Sequence, residues 1–389
     1  MYQVKYLNPI SPKGTALWTE NYEKTEEVAE AQAIMVRSAS MHDMELPENL
    51  LAVARAGAGV NNIPLDKCAE QGVVVFNTPG ANARSVMELA LCGMLLGCRD
   101  IVGGINWVQS IKDEGDVAKK VEKGKSKFAG HEIAGKSLGV IGLGAIGGLV
   151  ANAAISLGMK VLGYDPYASV DAAWLLDPAV EKVDDLDRIF KESDYITVHV
   201  PSLPSTKGIL GGANIAKMRD GVRLLNLARA DLGVDADILA GIESGKIAAY
   251  YTDFPTGALA GQKGVVATPH LGASTPEAED NCAIMAANQL VKFLSTGNIK
   301  NSVNFPAIDL PAHAGRNVLV LHANIPATIA KIAGAVAEKG VNIEHLTNKS
   351  RGNNACSLLA LAAGTSDEDI EWIKQTISEF EGMWRVIVI

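Results

Sequence analysis

At 389 residues, 48% hydrophobic and 20% charged, the chain has the composition of an ordinary globular protein of two or three domains, which excludes a disordered or fibrous polymer. Its 35 Lys and Arg stand against 44 Asp and Glu, a net charge of −9. That excludes bulk attraction to nucleic acid or an anionic membrane, so an anionic ligand needs a local basic cluster. The five cysteines (Cys68, Cys92, Cys98, Cys282, Cys356) form no CxxC pair and are expected as buried free thiols in a reducing cytosol, with no metal site.

The opening "MYQVKYLNPISPKG" has no basic segment followed by an apolar one, so no secretory signal is read and a cytoplasmic location is expected. The runs "AIMVRS", "ENLLAVARAG" and "GVVVFNTPG" then alternate with helical stretches, the pattern of a small parallel α/β unit. An apolar-periodic helix is expected from about Arg84 to Gln109. The charged "KDEGDVAKKVEKGKSKFAG" after it reads as a crossing linker or exposed arm. Ser137 to Met159 carries no charge for 23 residues, but its six glycines, Asn152 and Ser156 suit strand, turn and helix better than a membrane span.

From Ser137 six β-like runs ("SLGVIG", "MKVLGYD", "DYITVHVP", "RLLNLA", "AAYYTDF", "GVVATPH") fit one doubly wound parallel sheet. A helix from Pro276 to about Ser295 leads to "TGNIKNSVNFPAIDLPAHAGR", a Pro/Asn-containing linker. The residues from Arg316 to Ile389 read β-α-β-β-α-β, the ferredoxin-like order, as a separate small domain.

Gly142-x-Gly144-x-x-Gly147 follows a strand and opens a helix. The first glycine permits the tight turn, the second a close approach of backbone to a pyrophosphate, and the third close helix–sheet packing. The helix N-terminus offers free N–H groups to phosphates. Asp165 ends the next strand, where an acid accepts from ribose hydroxyls and repels a 2′-phosphate. No Arg follows in "DPYAS", so NAD is expected over NADP; the bland alternative is a glycine-rich packing turn.

"VIGLGAIG", "YDP", "HVP", "NLAR" and "PHLGAST" together resemble the NAD-dependent D-2-hydroxyacid dehydrogenases. "VRSASMHDM", "ARAGAGVNNIPLDKCAEQGVVVFNTPGANARSV" and a C-terminal region similar to ACT regulatory domains narrow the resemblance to the phosphoglycerate dehydrogenase branch. The resemblance implies a doubly wound Rossmann NAD domain, residues 99–275, inserted in a flavodoxin-like substrate domain, residues 1–98 and 276–303. A linker, 304–315, and an ACT-like domain, 316–389, follow. The implied reaction is oxidation of 3-phospho-D-glycerate to 3-phosphohydroxypyruvate, the first step of serine synthesis, in a homo-oligomer (dimer or tetramer) with no nucleic-acid or membrane partner.

By position, the resemblance makes Arg229 the carboxylate clamp and His270 the general base, chemistry that suits a bidentate guanidinium and a near-neutral imidazole. It implies a cofactor set of Gly142, Gly144, Ala145, Ile146, Gly147, Asp165, Pro166, His199, Pro201, Ala228, Arg229, Asp253, His270 and Gly272, with Asp253 on the nicotinamide amide. Arg37, Arg55, Ala58, Gly59 and Asn82 are implied around the substrate, with Lys125 and Lys127 in an arm that reaches a neighbouring subunit. Strand-end arginines and solvated lysines are the bland alternatives. His322, Asn324 and Asn342 match residues that bind feedback L-serine, against a capping Asn and a surface His.

The chain departs from that pattern at several points. The family's glutamate beside the base histidine is missing, and Ala258 stands at its expected place. Gln262, Glu277 or Glu279 are the alternatives for orienting His270. Asp231 occupies a position where glycine is common, and Ala327 one where glycine usually follows the proline. Two other readings stay open: a reductase of another 2-keto acid, and a catalytically weakened sensor of NAD and amino acids.

Overall fold

Runs such as "AIMV" and "AVAR" carry apolar residues at every position but the last arginine, which marks strands covered on both faces. In a computed structural model describing all 389 residues they become inner strands of a parallel sheet. That sheet holds β1 (Tyr2–Tyr6), β2 (Tyr22–Thr25), β3 (Ala33–Val36), β4 (Ala52–Arg55) and β5 (Val74–Phe76) in the order β2-β1-β3-β4-β5, the flavodoxin-like arrangement. β1 and β2, "YQVKY" and "YEKT", carry no continuous apolar run: polar side chains interrupt both, and only β2 stands at the sheet's edge.

A second parallel sheet comprises β6 (Ser137–Ile141), β7 (Lys160–Tyr164), β8 (Glu181–Lys182), β9 (Tyr195–Val198), β10 (Val222–Asn226), β11 (Ile247–Thr252) and β12 (Val265–Ala267). Its order, β12-β11-β10-β9-β6-β7-β8, is doubly wound and reverses between β6 and β9, where such sheets open a crevice at their C-terminal edge. β8, two residues long, adds a seventh strand to the six expected.

Chain contacts divide the molecule into Met1–Asn82 with Pro276–Ile389, and Ala83–Thr275. The helix Ala83–Cys98 therefore belongs with the second sheet, which moves the expected boundary from 98 to 82. Its apolar stripe (Val86, Met87, Ala90, Met94, Cys98) joins Leu138, Val140, Leu225 and Tyr251 in one core. The long periodic helix is also broken: Asp100 accepts from the Gly103 N–H at 2.9 Å and starts a new helix, Ile101–Ser110. The charged arm contains a helix, Val117–Gly124, and a tight turn, Lys125–Phe128.

The C-terminal strands β13 (Asn317–Ala323), β14 (Ile343–Arg351), β15 (Asn354–Leu361) and β16 (Met383–Val388) form an antiparallel sheet in the order β14-β15-β13-β16. With helices Thr328–Glu338 and Asp367–Ser378 on one face, this is the expected β-α-β-β-α-β topology. Its other face is not free. Leu319, Leu321, Cys356, Leu358 and Ile387 share one core with Val4, Met35 and Phe76 of the first sheet and Phe293 of the helix Pro276–Thr296.

The expected linker 304–315 is part of that core, with Phe305, Ile308 and Leu310 buried. Asn304 makes the junction. Its Oδ1 accepts from the Val75 N–H at 2.9 Å and its Nδ2 donates to the Val73 carbonyl at 2.8 Å. Val303 N–H donates to the Val75 carbonyl at 2.9 Å, so the segment covers the open edge of β5. Asn304 reads as a linker residue because its partners lie on a strand edge that is distant in sequence. No helix is long and apolar enough to cross a membrane.

Candidate active site

The glycine turn leaves β6 at Gly142, whose φ of 91° excludes an ordinary side chain. A Cβ at Gly147 would sit 1.8 Å from the Gly142 carbonyl oxygen, so only glycine lets this helix approach the strand. The helix Ala145–Ser156 starts at Gly144 with no capping side chain, and nothing lies within 4 Å of where a Gly144 Cβ would project. The first-turn N–H groups of Ala145, Ile146 and Gly147 have no capping side chain, a helix start suited to a pyrophosphate.

Asp165 ties the second strand to this turn: its Oδ2 accepts from Leu143 N–H and its Oδ1 from Tyr167 N–H, both at 2.9 Å. Each oxygen keeps a lone pair for a ribose hydroxyl. Exposed Pro166 follows. Just past β9, His199 Nε2 meets Thr197 Oγ1 at 2.9 Å, while Nδ1 is buried without a partner. Burial pushes its pKa down to about 4, so the ring is neutral. Pro201 lies exposed beyond it. These residues fit the dinucleotide expected from the sequence, and the orphaned Nδ1 is a polar atom left over by the fold itself.

At the end of β10, the fully buried Asn226 builds the turn that presents Arg229. Its Nδ2 donates to the Arg229 carbonyl at 2.9 Å and its Oδ1 accepts from Ala228 N–H at 3.2 Å. The exposed guanidinium donates from Nη1 to the Ala228 carbonyl at 2.6 Å, leaving most of its fork free. The sequence reading missed Asn226, although it stands inside the quoted "NLAR".

The His270 turn is the most constrained part of the second unit. His270 has φ 56°, the left-handed region that costs an L-residue about 1 kcal/mol or more. What holds it there is Asp253, 1% exposed at the end of β11. Asp253 Oδ1 accepts from Thr268 Oγ1 at 2.6 Å and Leu271 N–H at 2.7 Å, and Oδ2 accepts from Gly272 N–H at 2.7 Å. The Asp253 carbonyl accepts from the His270 N–H at 3.1 Å, and Ser85 Oγ donates to the Gly272 carbonyl at 2.8 Å.

Two expectations are corrected by this geometry. Asp253 and Gly272 were expected against the cofactor, but both are buried and their polar groups are engaged within the turn. In this structure they hold the backbone that carries the histidine. Thr268 and Ser85 are the supporting residues that the sequence did not reveal, since a threonine before a proline and a serine on a helix carry no distinctive spacing.

The His270 imidazole itself is exposed and makes no side-chain hydrogen bond; its neighbour is the Phe254 ring, with centroids 4.9 Å apart and planes at 53°. Gln262 is exposed and does not bond to it, and Ala258 is likewise exposed. In the other unit Glu279 is committed to Arg37 through an ion pair. Glu277 lies close enough to Lys13 to act on its charge. No carboxylate takes the place of the missing acid in the turn.

In the first unit Arg37 follows β3 and Arg55 ends β4, both at that sheet's C-terminal edge. Arg55 Nε donates to the Arg37 carbonyl at 3.1 Å, and its guanidinium lies over Gly57, where a Cβ would be 2.1 Å from Nη1. The Ala58 carbonyl accepts from Asn77 Nδ2 at 2.7 Å, and Gly59 and Asn82 are half-buried in the same unit. In the arm, exposed Lys125 pairs with Glu122 at 2.6 Å, and Lys127 is exposed without an ion pair.

The expected effector set does not stay together. His322 is 2% exposed; its Nδ1 meets the Ala323 carbonyl at 2.8 Å and its Nε2 meets Ser357 Oγ at 3.0 Å, with Asn348 Nδ2 at 3.3 Å. Both ring nitrogens are used inside the sheet, so His322 is a structural residue here. Asn324 is exposed and donates to the Gly352 carbonyl at 3.1 Å, and Asn342 is exposed. Ala327 adopts φ 65° at the helix start, a conformation that favours the glycine it replaces.

Comparison with known proteins agrees with this geometry. Residues 94–272 match the family described as "D-isomer specific 2-hydroxyacid dehydrogenase, NAD binding domain". A hydroxypyruvate reductase from Thermotoga maritima is 39% identical over 317 residues, covering 75% of this chain and 98% of that protein. A D-3-phosphoglycerate dehydrogenase from Archaeoglobus fulgidus is 37% identical over 293 residues, 73% of this chain. This chain spans about half of that relative, 53% of its length. Among solved structures, an NAD+-bound 3-phosphoglycerate dehydrogenase from Entamoeba histolytica aligns with TM-score 0.61 at 25% identity, covering 78% of this chain and 98% of that one.

Proposed function

Because the chain belongs to the D-isomer specific 2-hydroxyacid dehydrogenases, we propose that it oxidises 3-phospho-D-glycerate to 3-phosphohydroxypyruvate with NAD. The observation that carries the reading is His270, held in a left-handed conformation by a buried carboxylate at the C-terminal edge of a doubly wound sheet. NAD, when bound, supplies the hydride acceptor. The uncapped N–H groups of Ala145, Ile146 and Gly147 hold its phosphates, and Asp165 its ribose hydroxyls.

The chain's own residues do the rest. Arg229 grips the substrate carboxylate with the free part of its fork and polarises the C2 oxygen. A nitrogen of the His270 ring, unencumbered by any hydrogen bond, takes the C2 hydroxyl proton and returns it in the reverse direction. Arg37 and Arg55 are the proposed ligands of the phosphate, with the backbone of Ala58, Gly59 and Asn82; Lys125 and Lys127 are proposed to act on a neighbouring subunit in a homodimer or tetramer. We place the C-terminal β-α-β-β-α-β sheet in the ACT class, with Asn324 and Asn342 as proposed contacts for serine.

A second reading, reduction of hydroxypyruvate or a similar 2-keto acid, is favoured by the Thermotoga relative, nearly all of which this chain covers, and by the Glu279 carboxylate that compensates Arg37. Steady-state NADH formation with 3-phosphoglycerate, against glycerate and lactate, separates the two. Oxidation of 3-phosphoglycerate at least tenfold more efficient than of glycerate supports the first reading; equal or reversed efficiencies support the second.

A further inference from the structure

We propose that Phe254 is the positioning residue for the His270 imidazole, standing in for the carboxylate this chain lacks. The inference rests on the reading of His270 as the general base. A base histidine must aim one nitrogen at the substrate hydroxyl. In a turn without an acid the imidazole has no hydrogen bond to fix its rotation about the Cβ–Cγ bond. His270 is in that condition, since neither ring nitrogen has a side-chain partner, and the contact its ring makes is with Phe254, 4.9 Å between centroids at 53°.

Phe254 is built to hold still. Its backbone N–H donates to Thr252 Oγ1 at 3.1 Å, and Thr252 is 1% exposed on β11. On its other side Pro255 restricts Phe254 to extended backbone. Asp253, one residue before, anchors the facing turn through Thr268, Leu271 and Gly272. The same two-residue step, Asp253-Phe254, therefore clamps the backbone that carries the imidazole and lays a flat ring against it. A tilted aromatic pair restricts the rotation of both rings, and the face of a phenyl ring also tolerates the imidazolium that forms when the base takes its proton. Unlike a carboxylate, it accepts no proton and does not select between the two imidazole tautomers. It orients the ring and leaves both nitrogens free.

Substitutions at Phe254 test this on the full-length protein. Phe254→Leu keeps the apolar bulk and removes the ring; Phe254→Tyr and Phe254→Trp keep a ring. The expected result is a kcat about tenfold or more below the parent for Phe254→Leu with KM for the hydroxy acid unchanged, and kcat within about threefold for the two aromatic variants, on the scale of a mispositioned catalytic group. A second readout needs no substrate. The His270 ring C–H resonances, assigned with His270→Ala, should carry a ring-current displacement that Phe254→Leu abolishes and Phe254→Tyr preserves. A displacement that survives in Phe254→Leu, or aromatic variants as impaired as Phe254→Leu, would overturn the proposal. Should the parent oxidise no 2-hydroxy acid, the reading of His270 as a base fails, and the resonances alone then decide whether Phe254 orients the ring.

Discussion

His270 and His322 each stand at an apolar, β-prone run and, like His199, drew functional readings from the sequence, yet the fold treats these two in opposite ways. His270 stands exposed on a turn with both ring nitrogens unbonded, while the backbone N–H groups of His270, Leu271 and Gly272 are all held by Asp253. His322 is buried in a sheet with both nitrogens engaged, in an ordinary strand. The difference teaches that the proposed base combines a fixed backbone with a free ring. The structural histidine shows the reverse, a ring fixed by its neighbours, and the residue type and its local sequence do not separate the two.

The comparison is broken most severely by removing the free ring. His270→Ala should lower turnover at least ~100-fold, the usual scale for a general base, with the unfolding midpoint unchanged or slightly lowered, since the exposed ring gives up only its contact with Phe254. Steady-state NADH formation and a denaturant titration on the same preparation check both halves. A variant with near-parental turnover would place the proton transfer elsewhere.

Next in size is the clamp. Asp253→Asn keeps the shape but gives one side of the carboxylate an N–H2 that faces N–H donors from Leu271 or Gly272. A buried donor left against a donor costs about 1–3 kcal/mol, and hydrogen bonds to a charged acceptor sit at the upper end of that range. The expected outcome is a loss of about 2 kcal/mol in denaturant unfolding together with a fall in kcat, since the turn that aims His270 is loosened. Stability lost with kcat intact would show that the clamp holds the fold and does not aim the base.

How much of this was legible in the sequence follows from where each partner lies. The glycine turn and Asp165 were readable because that chemistry is written within about 20 residues of chain, at spacings set by one strand–turn–helix unit, whereas the roles expected of Arg229 and His270 came from the family resemblance. The clamp was not: Thr268, Leu271 and Gly272 lie only 15, 18 and 19 residues after Asp253, but the pairing of β11 with β12 brings them to it without any spacing motif, and the resemblance had assigned Asp253 to the cofactor. The partners of His322 lie 26 and 35 residues away, so its locked state is set by strand pairing that periodicity does not encode. The same holds for the segment read as a linker. Its Phe305, Ile308 and Leu310 are apolar enough for a core, but three scattered side chains among prolines give no period. β1 and β2 were missed because a half-covered strand of mixed polarity looks like a loop.

The locked histidine offers a smaller effect of different character. Burial lowers the His322 pKa below its ordinary 6.5, as it does for His199. A depressed histidine favours the folded state in its neutral form, so its contribution is present above pH 6.5 and is lost as the pH falls through the lowered value. Unfolding free energy should therefore decline between pH 7 and pH 5. His322→Leu should cost about 1–3 kcal/mol at pH 7 by leaving Ser357 short of a partner, and should flatten that decline while leaving kcat and KM untouched. An altered kcat in this variant would return His322 to the list of working groups.

The smallest effect comes from a second pair of matched positions, one in each region. His270 and Ala327 are both non-glycine residues in the left-handed region, at φ 56° and 65°. At His270 the strain falls on the residue proposed as the base, where glycine would remove the imidazole. Ala327 opens the helix Thr328–Glu338 with no side-chain cap, and its methyl group contributes nothing that glycine would forfeit except a stiffer unfolded chain. Relief of about 1 kcal/mol in the folded state is offset in part by that entropy, so Ala327→Gly should stabilise the protein by about 0.5 kcal/mol, read as a raised denaturant midpoint at constant slope, with activity unchanged. A lower midpoint would mean that the left-handed alanine is supported by the helix packing around it, and that strain in this chain is not a marker that separates its working turn from its structural one.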